Sequence, residues 1–195
     1  MAIDAMKKRC AWCGDDPLYV AYHDTEWGVP KHDDRTLFEF LVLEGAQAGL
    51  SWITILRKRN GYRELFDHFD AERVAYYSDA ELDERLQNPK IVRNRLKVYG
   101  ARKNARAFLD VQQEWGSFSD YIWDFVDGRA VQNNWSSMRD VPPTSDISNQ
   151  LSKDMKKRGF TFVGPIIMYA YMQATGMVND HTKDCFRHTE CLGMT

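Results

Sequence analysis

The sequence predicts an all-α protein, and three observations carry that reading. Apolar residues recur at helical spacing through most of the chain. Short polar turns interrupt the pattern at about helix lengths. The alternation of β-branched and aromatic residues that marks strands is scarce.

The elements follow in order. Asp33, Asp34 or Thr36 can cap a helix over DDRTLFEFLVLEGAQAGL, which sets Leu37, Phe38, Leu41 and Glu44 at helical spacing. Gly45 and Gly49 mark a break or a close helix approach before a second stretch, SWITILRKR. Further helices fit 62–68, 71–76, 79–87, 90–111 and 117–126. Residues 133–146 form the best loop, since Pro142 and Pro143 bar a helix. A helix from about Ser148 to Arg158, a tight turn, and a helix from about Pro165 to Thr175 follow; the last segment carries the end cysteines. The sequence has no evident repeat or low-complexity tract.

With 195 residues the chain can bury one sizeable core, so a single domain over 1–195 is expected. A hydrophobic content of 44% with 13% aromatic is that of a globular protein. No run approaches the roughly 20 apolar residues of a membrane span, and MAIDAMKKRC lacks the apolar centre of a secretion signal. A cytoplasmic protein without membrane contact is expected. The formal net charge of −2 argues against coating nucleic acid by bulk charge. Local basic stretches remain at 156–160 (KKRGF) and 93–97 (RNRLK), and their plainer reading is a solvated helix face.

Cys10, Cys13, Cys185 and Cys191 sit at the two ends of the chain. A reducing compartment disfavours disulfides, leaving a metal that ties the termini together or a coincidence of small core residues. Two ligand sets compete. Cys10 and His23 with His181 and Cys185, the last two at i and i+4 in HTKDC, make a tetrahedral Zn²⁺ set of two thiolates and two imidazoles. The four cysteines alone would make an all-sulfur site. In the bland alternative His23 is only a hydrogen-bonding residue.

In RGFTFVGPIIMYAYMQATG, 158–176, Gly159 suits a positive φ at a helix end, and Pro165 suits a first helical position. Backbone amides near Gly164 would then face outward at a helix N-terminus beside Lys156, Lys157 and Arg158, an arrangement suited to a DNA phosphate. Glu44 falls on an apolar stripe, where a charged side chain is costly unless paired. It either turns to solvent or lines a pocket walled by Trp12, Tyr19, Tyr22, Trp27 and Trp52. Rings that stack and one acceptor that reads an amine are what a flipped nucleobase requires.

Long stretches of the chain, RCAWCGDDPLYVAYHDTEWGVP, LFEFLVLEGAQAGLSWITILRKR, LKVYGARKNARAFL, KKRGFTFVGPIIMYAYMQATGMVNDH and HTKDC, resemble the 3-methyladenine DNA glycosylase I family from about Arg9 to Cys185. The resemblance implies the all-α helix-hairpin-helix DNA glycosylase fold, with a hairpin at about 150–176. It also implies one structural zinc joining the N- and C-terminal segments through Cys10, His23, His181 and Cys185. It makes Glu44 the pocket carboxylate and Trp12, Tyr19, Tyr22 and Trp52 the base-binding aromatics. Lys156, Lys157, Arg158, Gly159 and Gly164 become the DNA-contacting hairpin. The implied activity is hydrolytic release of 3-methyladenine, flipped out of alkylated double-stranded DNA by a monomeric enzyme, with an abasic site left behind. Related glycosylases place a catalytic aspartate soon after the hairpin helix. Here MVNDH offers Asp180, shifted from that pattern, with orientation of His181 as its alternative role. A zinc-stabilised helical DNA-binding module and a zinc hydrolase are the competing functions; the second needs an open metal position.

Overall fold

The structure, a computed structural model, describes residues 7–194. Residues 1–6, on which part of the N-terminal reading rests, lie outside the described residues. Among the described residues, ten α-helices make up more than half: α1 (Pro17–Thr25), α2 (Asp34–Gln47), α3 (Trp52–Leu65), α4 (Ala71–Ala75), α5 (Asp79–Gln87), α6 (Arg95–Trp115), α7 (Phe118–Asp124), α8 (Asp146–Lys157), α9 (Pro165–Ala174) and α10 (Phe186–Leu192). Two 3₁₀ turns, Ala11–Cys13 and Asp67–Phe69, complete the helical part. No described helix is long and apolar enough to cross a membrane.

Helix α2 is the axis of the fold. The Asp33 carboxylate caps it by accepting from the Thr36 amide at 2.8 Å. From Leu37 to Ala46 every residue is buried. A helix apolar on all sides must be surrounded, and α2 packs against α3, α6, α7 and α9. One continuous cluster of buried side chains draws on every helix from α1 to α9.

Four features depart from the sequence reading. Helix α1 covers a stretch that has little of the look of core, yet Tyr22 and His23, and Trp27 just beyond its end, are buried. It starts because Pro17 occupies the first turn and Asp16 accepts from the Leu18 and Tyr19 amides. Helix α3 runs unbroken through Gly61, where a Cβ would lie 2.5 Å from the Lys90 carbonyl oxygen; that glycine permits a close approach rather than ending a helix. The same approach keeps residues 90–94 out of helix, so α6 begins at Arg95, with Asn94 capping the Lys97 amide at 3.1 Å. Finally, a two-residue parallel pairing joins β1 (Val131–Gln132) to β2 (Val178–Asn179). It fastens the segment after α7 to the one after α9.

Candidate active site and metal-binding cluster

Two sites share one wall. The first is a cluster of four buried donors, Cys10, His23, His181 and Cys185, whose ligand atoms all lie within 4.8 Å of one another. His23 projects from α1, and Cys10 stands just before the first 3₁₀ turn. His181 and Cys185 come from the segment between β2 and α10. Cys10 Sγ is 3.5 Å from His181 Nδ1, and Cys185 Sγ is 3.5 Å from His23 Nε2 and 3.6 Å from His181 Nδ1. Sulfur and nitrogen held tetrahedrally at ordinary zinc bond lengths would stand roughly 3.5 Å apart, so the donors are already spaced for an ion.

The outer partners fix the tautomers. His23 Nδ1 is 2.8 Å from the Asp24 carboxylate, which Arg9 grips in turn, and His181 Nε2 is 3.1 Å from the Trp27 carbonyl. Each ring spends its N–H on an oxygen and turns the other nitrogen's lone pair into the cluster. Cys185 is held toward its thiolate by a hydrogen bond from Cys10 and further contacts with His181 and His23, while the Cys10 thiol is pushed up by the same pairing. Cys13 and Cys191 are buried elsewhere and do not join the cluster, which removes the all-sulfur alternative.

The second site is a cavity of about 220 Å³ lined by Trp12, Tyr19, Tyr22, Trp27, Glu44, Gln47, Trp52, Met138, Ala170 and Gln173. It collects every aromatic singled out in the sequence. Trp12 stands 4.9 Å from Tyr19 and 5.0 Å from Trp27 between ring centroids, and Tyr22 stands 5.6 Å from Trp52. The Nε1–H groups of Trp12 and Trp52 are buried without a hydrogen-bond partner. Trp27 also packs edge-on to His181 at 4.6 Å, so the aromatic wall of the cavity is the outer surface of the donor cluster.

Glu44 does not turn to solvent. Only 4% of it is exposed, and burial alone pushes its carboxyl up to about 8. The neighbouring phenols of Tyr19 and Tyr22 are also raised, chiefly by burial. A carboxyl this dry with no internal cation is arranged for a ligand that supplies positive charge or hydrogen-bond donors.

Four further pocket residues, Gln47, Met138, Ala170 and Gln173, escaped the sequence reading. Gln47 lies one helical turn beyond Glu44, and that spacing could have found it. Met138, from the loop after β1, and Gln173, from α9, had no local signal.

The structure gives two of the residues singled out in the sequence partners inside the protein. Asp180 makes no hydrogen bond to His181, whose orienting partner is the Trp27 carbonyl. Its buried carboxylate instead accepts from Asn133, Trp135, Tyr169 and Gln173 at 2.7 to 2.8 Å. Arg158 is engaged within the protein: its guanidinium pairs with Asp154 at 2.6 Å and with Glu114 at 2.6 Å, over the Tyr121 ring. Lys156 and Lys157 are exposed at the end of α8. Gly159 turns the chain at φ +92°, and Gly164 precedes Pro165 with no side chain capping α9.

Comparison with known proteins agrees with this geometry. The methyladenine glycosylase family model matches residues 12–188. A Haemophilus influenzae protein described as DNA-3-methyladenine glycosylase is 45% identical over 180 residues, covering 92% of this chain and 97% of its own. A crystal structure of a 3-methyladenine DNA glycosylase I superposes with a TM-score of 0.90 at 49% identity, over 92% of this chain and 98% of that one. A tyrosine-to-phenylalanine variant of such an enzyme, in complex with 3-methyladenine, superposes with a TM-score of 0.89 at 38% identity, over 91% and 96% of the two chains. A family match along nearly the whole chain, together with an aromatic pocket closed by a buried carboxyl, places this protein in the methyladenine glycosylase family, among the 3-methyladenine DNA glycosylase I enzymes.

Proposed function

We propose that this chain is a single-domain, monomeric, cytoplasmic base-excision repair enzyme that releases 3-methyladenine from alkylated double-stranded DNA. One observation carries the reading: Glu44, buried and unshifted by any internal cation, sits in a cavity walled by rings. Alkylation at N3 leaves adenine positively charged and weakens its glycosidic bond, so the leaving group needs no proton. The nucleotide is turned out of the stack, and the cationic base lies among Trp12, Tyr19, Tyr22 and Trp52. Its charge favours the ionised form of Glu44, which accepts from the exocyclic amine and complements the cation, with Tyr22 adding a hydrogen bond. Water completes the hydrolysis and leaves an abasic site, with free 3-methyladenine as product.

The α8–turn–α9 unit, about 150–176, serves as a helix-hairpin-helix anchor for DNA phosphates. Lys156 and Lys157 supply charge, Gly159 and Gly164 supply close backbone approach, and Arg158 braces the turn from inside. Cys10, His23, His181 and Cys185 suit Zn²⁺ by donor chemistry and spacing. Four protein ligands leave no open position, so a zinc ion held there contributes folding free energy and joins the two ends of the chain.

The test is incubation of the metal-replete protein with methylated duplex and analysis of the freed bases. Release of 3-methyladenine by the wild type, slowed in Glu44→Gln, is the expected result. A wild-type protein that binds the duplex yet frees no alkylated base would leave the non-enzymatic DNA-binding module as the function.

A further inference from the structure

We propose that Gln173 reads the flipped base alongside Glu44, and that Asp180 is the positioning residue that sets which end of its amide faces the pocket. The inference deepens the function proposed above and rests on it. Gln173 lines the same cavity as Glu44 but comes from α9, whereas Glu44 belongs to α2.

An amide side chain carries a donor end and an acceptor end of nearly equal size. Here one end is committed: Gln173 Nε2 donates to Asp180 Oδ2 at 2.7 Å. The reverse orientation would set the amide oxygen against a carboxylate oxygen. Asp180 cannot swing away, because Tyr169 holds the same oxygen at 2.7 Å while Asn133 and Trp135 hold the other at 2.7 and 2.8 Å. The backbone is held as well, since the Gln173 carbonyl accepts from the Gly28 amide at 3.1 Å. Nothing described hydrogen-bonds Gln173 Oε1, and that atom is not among the unpartnered polar atoms sealed from solvent. The pocket therefore meets a fixed acceptor, placed without cost at the moment of binding. Gln47 differs, because no hydrogen bond orients its amide.

A fixed acceptor favours a base edge that carries hydrogen-bond donors, as the exocyclic amine of an alkylated adenine does. It disfavours one that presents a carbonyl or nothing, because a pocket group is then left unpaired.

The test crosses one protein change with one ligand change. Affinities of free 3-methyladenine and of 3-methylpurine, which lacks the amine, are measured by the quenching of pocket tryptophan fluorescence in wild type and in Gln173→Met. Wild type should prefer 3-methyladenine, and Gln173→Met should shrink that preference by about tenfold, the worth of one hydrogen bond. An unchanged preference in Gln173→Met overturns the role of Gln173 and leaves the pocket assignment standing. A wild type that binds neither base overturns the pocket assignment, and this inference with it. If Gln173→Met fails to fold, Gln173→Asn, which withdraws the amide by one carbon, takes its place: a reduced preference supports the role of Gln173, and an unchanged one overturns it.

Discussion

The indole of Trp12 lies edge-on to the imidazole of His23, with ring centroids 5.3 Å apart and planes inclined at 60°. A wall of the aromatic cavity thus leans directly on a donor of the Cys/His cluster.

Metal removal should therefore be visible in the pocket. The purified protein should carry about one equivalent of zinc. His23→Ala or Cys185→Ala should lower unfolding stability by several kcal/mol, since metal-binding free energy at a closed site is folding free energy. Affinity for 3-methyladenine should fall in step. Metal analysis and thermal unfolding with and without chelator check this; a metal-free protein of full stability would contradict it.

Glu44 predicts a pH dependence of definite sign. Its carboxyl rises from 4.5 in the unfolded chain to about 8 in the fold. The native state therefore binds more protons between those values, and stability falls as pH rises. The contribution is complete below about 4.5 and lost above about 8. Glu44→Gln should unfold like wild type in mild acid and outlast it above pH 8 by an amount on the order of a few kcal/mol. Denaturant curves across that range decide it; parallel curves would mean that Glu44 is not dry.

The same variant should lose activity. Loss of a charge-assisted hydrogen bond to the base is worth roughly 1.5 to 3 kcal/mol, so excision should slow by about tenfold or more while metal content and binding to undamaged duplex stay normal. Some activity should survive, because the alkylated base is a good leaving group. Single-turnover excision measures it.

Lys157 and Arg158 adjoin in sequence but should separate in effect. Lys157→Ala should weaken binding to damaged and undamaged duplex alike and flatten the salt dependence, as loss of a phosphate contact does. Arg158→Ala should mainly destabilise the fold, since it removes the cation paired with the partly buried Asp154. A salt titration of binding and a melting curve for each variant distinguish the two.

Gly28 stands against the cluster from outside. Its φ is +76°, and a Cβ there would come within 2.9 Å of His181 Nε2, the nitrogen that meets the Trp27 carbonyl. Gly28→Ala should push the imidazole off its lone-pair direction and lower zinc affinity by about 10- to 100-fold. Competition with a chelator of known affinity measures it.

Much of this was legible in the sequence. Helix α2 could be read with its cap because ten successive residues obey one rule, burial, and Asp33 stands before them. The four donors and the aromatic walls were legible as residue types in unusual positions, and Glu44 as a charge on an apolar stripe. Helix α1 was not, because its buried face is only Val20, Tyr22 and His23, too short and too polar an apolar pattern to stand out. The ion pair of Arg158 with Glu114 was not legible, because Glu114 lies on a distant helix. The four donors around Asp180 come from two segments, α9 and the stretch after β1, and the β1–β2 pairing brings the second to Asp180.

The meeting of Cys10 with Cys185 also orders events during synthesis. Trp27 leaves the ribosome long before His181, the imidazole it packs against at 4.6 Å. A nascent chain that ends between α9 and His181 holds helices α1 to α9 with that wall unbraced. Products truncated in that interval should therefore lose affinity for free 3-methyladenine, which a binding titration would measure.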